Sequence, residues 1–412
     1  MSASRRAAIA FILVVAVLDV VAMGIVIPVL PVLVEELLGG SDDAGTINGV
    51  FVALWAAMQF ICSPIVGSLS DQYGRRPVLL LSSAGLAADY VLIALAPNLW
   101  WLALGRIVAG ITSSSFSTVN AYMADITPPE GRAKAYGLVG AAFSGGFIAG
   151  PLLGGVLGEI SPRAPFWAAA GLSAMVFLYG LFVLPESLPP EHRMRFSFRR
   201  ANPFGALRLL GSHRELGGLA LVNFLLHFAH HVFSAVFVLY AAHRYGFTAR
   251  DTGLLLALVG VLDMTVQAVV VGRVTARLGD RTTMVVGLVG GAIGIACMGL
   301  APNGLWFTLA MFPNALWGLA MPTLQALMTR RVSESEQGQL QGANTSVASI
   351  AGVLSPPFFG AIYSARTSGS VWLAHPGTSF FVAALVLLSA AFVGQRVARQ
   401  ASAPKAMPQP EA

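Results

Sequence analysis

Charged residues are scarce in this sequence. Of its 412 residues, 25 are Lys or Arg and 19 are Asp or Glu, together 11% of the chain, whereas about 25% is usual in a soluble domain. This deficit excludes a soluble globule with a hydrated surface. Removing the loops leaves about twelve apolar stretches, each near the ~20 residues that a helix needs to cross a bilayer. The sequence therefore predicts an all-α membrane protein with twelve transmembrane helices.

Cysteines and enzyme motifs are also few or missing. The two cysteines, Cys62 and Cys297, both fall inside predicted spans, which supports neither a disulfide framework nor a cysteine-based metal site. A Walker loop, a His-Glu-x-x-His pair and a nucleophile elbow are all lacking. We therefore expect no enzyme activity, no metal and no cofactor. The net charge of +6 does not indicate nucleic acid, because that reading needs a basic face on a soluble fold. The expected partners are the lipid bilayer, a small molecule and protons, and we expect a monomer.

The basic residues are distributed unevenly among the loops. Alternate loops, beginning at the N-terminus, hold 20 of the 25; the other side holds four, and Arg106 lies in a span. We call these two sides the arginine-rich end and the arginine-poor end. Because basic loops stay in the cytoplasm, both termini and the long linker 185–215 are predicted to be cytoplasmic.

The chain repeats itself at an offset of 205 residues. Gly74 corresponds to Gly279, residues 96–98 (Ala-Pro-Asn) correspond to residues 301–303, and Pro151 corresponds to Pro356. This repeat predicts two six-helix bundles in parallel topology, with a substrate cavity between them at the midplane. The predicted units are a bundle at 1–184, the linker at 185–215, a bundle at 216–396 and a cytoplasmic tail at 397–412.

Several motifs carry a family resemblance. The loop 67–77 resembles the signature of the major facilitator superfamily, and the fifth span resembles the motif of its proton-driven drug exporters. Asp19 ahead of Pro28, together with residues 58–60, 88–90 and 337–342, is similar to the tetracycline/proton antiporters. The residues in the loop are Gly67, Asp71, Gly74, Arg75 and Arg76, and those in the fifth span are Gly146, Gly150, Pro151, Gly154 and Gly155.

The resemblance implies a twelve-helix, proton-coupled exporter in the bacterial inner membrane, with a gating role for the loop and an antiporter role for the fifth span. The sequence departs from the antiporter branch at two positions. Asp263 stands where the branch has a histidine in the eighth span, and Gly291 stands where it has an acid in the ninth.

Acidic residues inside the spans are candidates for proton coupling. An ionised side chain at mid-bilayer costs at least about 2.5–3.5 kcal/mol, and removal from water favours the neutral carboxyl. Asp19 and Asp263 both lie near the middle of a span. Asp89 and Arg106 each lie roughly 12 Å from the arginine-poor end of an antiparallel helix pair, so they are predicted to meet. The alternatives are packing acids satisfied by neighbouring polar groups, and a structural ion pair.

The loop and the fifth span each allow a mechanical interpretation. Gly74 supports a tight turn, and Asp71 can bond Arg75, Arg76 or a helix N-terminus across the bundle interface in one conformation. A solvated charge cluster that only sets topology is the alternative. In the fifth span, small residues permit close helix contact and Pro151 forces a bend, although ordinary tight packing explains the same pattern.

Polar residues inside the spans are candidates for lining a cavity. On the seventh span three of them recur every four residues, and Asp263 shares a face of the eighth with a glutamine. The alternative is hydrogen bonding between neighbouring helices. The candidate substrate-binding residues are Gln59, Asn120, Asn223, His227, His231, Gln267, Asn314, Gln325 and Asn344.

These observations together predict a secondary transporter. Our hypothesis is export of an amphipathic, drug-like compound, with tetracycline as a candidate, in exchange for protons by alternating access. The alternatives are a proton symporter or facilitator for a small metabolite on the same scaffold, and a membrane sensor or scaffold that does not transport.

Overall fold

The described part of the chain is helical. A computed structural model describes residues 3–113, 116–127, 132–196, 202, 207, 209–210, 214–332, 336–367 and 375–400. Within these ranges there are helices and no strand. Residues 401–412 of the predicted tail and part of the linker, with Arg199, Arg200 and Arg208, lie outside the described residues, whereas residues 397–400 continue the last helix.

The helices of residues 1–196 are bounded as follows. They are α1 (Ala3–Val26), α2 (Leu30–Leu37), α3 (Ala44–Tyr73), α4 (Arg75–Ala94), α5 (Leu99–Thr112), α6 (Phe116–Ile126), α7 (Arg132–Ile160) and α8 (Ala164–Val183), followed by a short 3-10 turn at Pro190–His192.

The helices of residues 214–400 include irregular segments. The α-helices are α9 (Arg214–His230), α10 (Val238–Tyr245), α11 (Ala249–Thr265), α12 (Val271–Leu300), α13 (Gly304–Leu309), α14 (Met311–Ala315), α15 (Ala320–Thr329), α16 (Gln337–Thr367) and α17 (Thr378–Gln400). The irregular segments are π-helical at Phe233–Phe237 and Val266–Val270, and 3-10 at Leu316–Leu319.

Among the described residues, ten helical segments are long and apolar enough to cross a membrane. One of them, Ala249–Leu300, has 52 residues and is interrupted by Gly279 at φ 73° and ψ 160°. The apolar helix at Leu99–Thr112 has only 14 residues and is too short to cross a membrane by itself. The tenth of the predicted spans is divided into α13, α14, a 3-10 segment and α15. Pro313 lies in this interrupted stretch and lacks the N–H that a helix interior needs.

Asparagine side chains cap the first turns of two helices. Asn98 accepts hydrogen bonds from the backbone N–H groups of Trp100 and Trp101 and so begins α5. Asn303, at the corresponding position of the repeat, accepts one from Trp306 and begins α13. Side-chain oxygens satisfy the first N–H groups of a helix, which otherwise have no partner.

The buried apolar residues form separate clusters. Two of them, around Ile93 and around Tyr122, are built from residues 12–184. The largest consists, apart from Ala44, of residues 209–391 and includes Tyr240. Each part of the chain therefore has its own apolar core, and a few apolar side chains, including Ile27, Val32 and Ala249, pack across from one part to the other.

Glycines bring helices into backbone contact both within the first part of the chain and between the two parts. On α7, a Cβ added to Gly150 would lie 2.7 Å from the Gly24 Cα of α1, and one added to Gly155 would lie 2.6 Å from the Ala249 carbonyl oxygen. Contact of this kind between backbones is possible only with small residues.

We expect Gly150→Ala to destabilise the protein by about 1–3 kcal/mol, because the new methyl group overlaps backbone atoms that cannot rotate away. Thermal unfolding of the purified protein measures this loss. Gly145→Ala on the same helix is the matched control, since nothing lies within 4 Å of its Cβ position. Equal unfolding temperatures for the two variants would contradict the packing argument.

Candidate functional site

Asp89 of α4 and Arg106 of α5 form a buried ion pair, as their matching depths predicted. Arg106 Nη2 lies 3.5 Å from Asp89 Oδ2, and the Asp89 side chain is fully buried. Gly105 makes room for this pair, because a Cβ there would lie 2.7 Å from Asp89 Oδ1. Neutralising one partner would leave the other as an uncompensated buried charge.

Asp19 of α1 lies in the same part of the chain as this ion pair. Its Oδ1 atom is buried and has no hydrogen-bond partner among the described residues. Val21 and Ala22, just after Asp19, belong to the same buried apolar cluster as Tyr90, which follows Asp89. The two predicted acids are therefore each next to residues of one cluster in the first part of the chain.

Asp263 of α11 belongs to a different environment. It accepts a hydrogen bond of 2.6 Å from Gln267 Nε2, one helical turn further on, as expected for residues on the same face. A Cβ added to Gly318 would lie 2.8 Å from Asp263 Oδ1, so the carboxylate contacts the broken tenth span. Asp19 and Asp263 therefore lie in the two separate parts of the chain.

The predicted asparagines of residues 214–400 are buried. Asn223 donates to the backbone and side-chain oxygens of Asn344, both at 3.4 Å, and Asn344 donates to Gln325 Oε1 at 3.4 Å. Asn314 is buried beside Gly294, and its Oδ1 has no partner in the described chain. In this conformation the amides of Asn223, Asn344 and Gln325 join α9, α15 and α16 by hydrogen bonds between helices. This is the arrangement that the sequence allows as the alternative to a cavity lining.

The other candidate lining residues are half-buried. His227 has a buried Nε2 atom without a partner among the described residues, and His231 Nδ1 lies 3.3 Å from Ser234 Oγ. Gln59 on α3 and Asn120 on α6 are also half-buried. The exposed histidine of α9 is His230, which was not among the predicted lining residues.

The loop 67–77 is held by contacts within residues 1–196. Arg75 Nη1 lies 2.6 Å from Asp71 Oδ1, and Arg75 Nε lies 3.2 Å from Asp125 Oδ2. Glu186 accepts from the backbone N–H groups of Arg75 at 2.8 Å and Arg76 at 3.3 Å. The linker therefore contacts the loop through Glu186, and Asp71 is paired within its own bundle region.

Two glycines of this loop have different environments. Gly74 adopts φ 105°, a value that strains any residue with a Cβ. A Cβ added to it would also overlap the Glu186 carboxylate. Gly67 has nothing within 4 Å of its Cβ position, so it makes no close helix contact in this conformation.

The glycines of α7 face two different helices. Gly146, Gly150 and Gly154 recur every four residues and pack on α1, against Val20, Gly24 and Ile25 respectively. Gly155 instead packs on α11, where the Pro151 carbonyl oxygen also meets Gly253. Helix α7 therefore packs on α1 within its own part, and it joins the second part through Gly155 and the contact of Pro151 with Gly253.

The arginine-poor end is closed by contacts between the two parts. Helix α3 packs on α16, where a Cβ added to Gly45 would lie 2.7 Å from the Tyr363 ring. Asn48, 1% exposed, donates to the carbonyl oxygens of Ser234 and Ala235 at 3.2 and 2.9 Å. These contacts separate the interior from the arginine-poor end.

A three-residue cluster, which we call the clasp, lies at the same end. His243 Nε2 lies 2.7 Å from Glu35 Oε1, and His243 Nδ1 lies 2.8 Å from the Tyr363 hydroxyl. The clasp joins α2, α10 and α16. It was missed from the sequence because its members are more than 100 residues apart and belong to no common motif.

Metal binding finds no support in the described residues. In those ranges no group of three or more His, Cys, Asp or Glu side chains is arranged to hold a metal ion. The chemistry available at the site is therefore that of carboxyl groups, amides, imidazoles and aromatic rings in a protein interior.

These features define a helical, multi-span membrane protein that carries acidic and polar side chains among its packed helices. The sequence profile of the Major Facilitator Superfamily matches residues 12–356 and 219–410. The chain belongs to this superfamily.

Within the superfamily, the chain is similar in sequence to tetracycline resistance proteins. The chain is 40% identical over 359 residues to the class C tetracycline resistance protein of Escherichia coli, covering 86% of this chain and 90% of that one. It is 39% identical over 372 residues to the class G tetracycline resistance protein of Vibrio anguillarum, covering 90% and 94%.

A solved structure supports the fold. The human organic anion transporter MFSD10 superimposes with a TM-score of 0.70 at 24% identity, covering 96% of this chain and 100% of that one.

We expect Arg106→Ala to destabilise the protein by about 3–5 kcal/mol, because Asp89 would remain buried without its cation. The double variant Asp89→Ala/Arg106→Ala should lose less than the sum of the two single variants. Thermal unfolding of the three proteins measures this coupling. Strict additivity would exclude a direct interaction between the pair.

Breaking the clasp should open the arginine-poor end. The His243 and Glu35 side chains are partly exposed, at 42% and 30%, so their interaction contributes about 0.2–1 kcal/mol. We therefore expect Glu35→Gln to raise the labelling rate of a cysteine at Thr46, applied from that end, by up to about fivefold. Glu36→Gln is the control, and unchanged labelling in both proteins would argue against the clasp.

Proposed function

We propose that the chain exports a drug-like compound, with tetracycline as the first candidate, in exchange for protons. The observation that carries this proposal is the Asp19 carboxyl, which has a buried Oδ1 without a hydrogen-bond partner among the described residues. A carboxylate in that position is unstable unless it is protonated or bound to a ligand. The similarity to tetracycline resistance proteins supports the choice of compound.

The proposed architecture has twelve spans in two six-helix bundles, at 1–184 and 216–396. Ten segments qualify as spans; Gly279 divides the 52-residue segment into two, and α5 with α6 supplies the twelfth. The separate apolar clusters support two bundles. Equivalent positions of the repeat also agree, since Gly74 and Gly279 both have positive φ.

The proposed orientation follows from the basic residues. The arginine-rich end, with both termini and the linker 185–215, faces the cytoplasm, and the arginine-poor end faces the outside of a bacterial inner membrane. Contacts between the two parts at the arginine-poor end support a conformation in which the proposed cavity opens to the cytoplasm. The chain is proposed to act as a monomer.

Export in this scheme depends on competition between proton and compound. With the cavity open to the cytoplasm, ionised Asp19 or Asp263 favours binding of the compound. When the bundles rock and the outer end opens, a proton enters, neutralises the carboxyl and releases the compound. The neutral site then returns, because a neutral carboxyl crosses the apolar interior at lower cost than a charged one.

The bundles meet through small residues, which allow such rocking. Gly155 on α7 contacts α11, and Gly45 on α3 contacts α16. In the proposed cycle these contacts separate as the outer end opens. The loop 67–77, at the other end, then provides charged groups for closure on the cytoplasmic side.

Tetracycline uptake into everted membrane vesicles tests this function. We expect uptake that depends on a proton gradient and falls to background when a protonophore is added. Asp19→Asn should abolish the gradient-driven component, because an amide cannot exchange a proton. Asp43→Asn, an exposed acid ahead of α3, is the matched control.

The outcomes separate the candidate functions. Equilibration without gradient dependence indicates a facilitator, and proton-driven movement of the compound in the opposite direction indicates a symporter. No movement of tetracycline in vesicles that contain folded protein overturns the proposed substrate. Full gradient-driven uptake by Asp19→Asn removes Asp19 from proton coupling.

A further inference from the structure

His230 is exposed in the middle of a membrane span. It is the fifteenth residue of the 30-residue segment Leu216–Tyr245. The exposed Leu221 lies nine residues earlier, which is 2.5 helical turns and therefore the opposite side of α9. Asn223, two turns before His230 on the same side, is buried against Asn344. The exposed surface of His230 consequently lies on the side of the span that carries Asn223, which faces the protein interior.

Aromatic rings hold the His230 ring in place. Its centroid lies 5.4 Å from Trp317 in an edge-to-face arrangement, 5.8 Å from Phe233 and 6.3 Å from His231. Such geometries are the favoured ones for aromatic pairs. No described residue hydrogen-bonds the ring nitrogens of His230, so one donor and one acceptor are available.

Irregular backbone surrounds this ring on two sides. A π-helical segment begins at Phe233, directly after His230 to Val232, and the 3-10 segment Leu316–Leu319 carries Trp317. Gly291 of α12 admits the indole, since a Cβ there would lie 3.0 Å from Trp317 Cγ. Non-helical backbone at membrane depth is tolerated where it is buried or lines a cavity, and π-helical turns are frequent at functional sites.

Trp317 also connects His230 to the acid of the eighth span. The next residue, Gly318, contacts the Asp263 carboxylate, which Gln267 holds from the other side. Trp317 and Gly318 thereby link an imidazole with unpaired nitrogens to the Asp263 carboxylate in the same part of the chain. This arrangement suits a ligand with both a flat surface and polar edges.

We propose that His230 is a substrate-recognition residue, which stacks on a planar ring of the transported compound and hydrogen-bonds a hydroxyl or carbonyl oxygen on it. Trp317 acts as a positioning residue that orients the imidazole. This inference rests on the proposed export function, because it assigns part of the binding site for the exported compound. It also assigns a role to the one histidine of α9 that the helical spacing had left out.

Binding of tetracycline to the purified full-length protein tests the role of His230. His230→Phe keeps a ring and loses the nitrogens, and His230→Gln keeps hydrogen-bonding groups and loses the ring; we expect each to weaken Kd about three- to tenfold. His230→Ala loses both and should weaken Kd by at least about tenfold. His192→Ala, in the exposed 3-10 turn of the linker, should bind like the wild type.

The variants distinguish failure of this inference from failure of the proposed function. If the wild type binds and exports tetracycline and His230→Ala does so equally well, the inference is wrong and the export function stands. If Kd changes as expected while unfolding temperatures stay equal, the role of His230 in recognition is supported.

A second measurement does not require tetracycline to be the substrate. His230→Cys, in a chain with Cys62→Ser and Cys297→Ser, is exposed to a membrane-impermeant thiol reagent in everted vesicles. Labelling supports a cavity that reaches His230 from the arginine-rich end, and tetracycline should slow it. An unreactive cysteine in folded protein overturns the inference even if the wild type does not bind tetracycline.

Discussion

The cost of holding charge inside an apolar slab governs the arrangement of this molecule. Asp89 meets that cost by pairing with Arg106, and Asp263 meets it through Gln267. Asp19 has a buried oxygen with no such partner among the described residues. A paired charge stays charged, whereas an unpaired carboxyl gains stability from a proton or a ligand. The difference in partners therefore singles out Asp19 as the acid whose ionised form has the least support from the described residues.

The two parts of the chain contact each other at the arginine-poor end. Small residues on α3 and α7 allow backbones of the two parts to touch at the arginine-poor end, and the clasp of Glu35, His243 and Tyr363 adds polar contacts there. These contacts are modest individually, and backbone contact between glycines involves little side-chain interlocking. An interface of this kind can separate and re-form without unfolding either apolar core, which is what alternating access requires.

The internal repeat has structural equivalents. Gly74 and Gly279 both adopt positive φ at the start of a helix, and Asn98 and Asn303 both cap one. Arg75 pairs with Asp125 in the first part, and Arg330 pairs with Asp280 at 2.6 Å in the second. Each ion pair connects the segment between the second and third spans of its part to the end of the fourth.

Composition and local pattern alone determined the all-helical membrane class, the repeat, the helix caps and the meeting of Asp89 with Arg106, because each depends on spacing along one helix or on depth in the bilayer. Tertiary structure decided which polar residues face the interior. Spacing selected His227 and His231, which are half-buried, whereas His230 beside Trp317 is exposed. Tertiary structure also joined Glu35 to His243. Contacts between distant segments depend on how whole helices pack, and no local pattern encodes that packing.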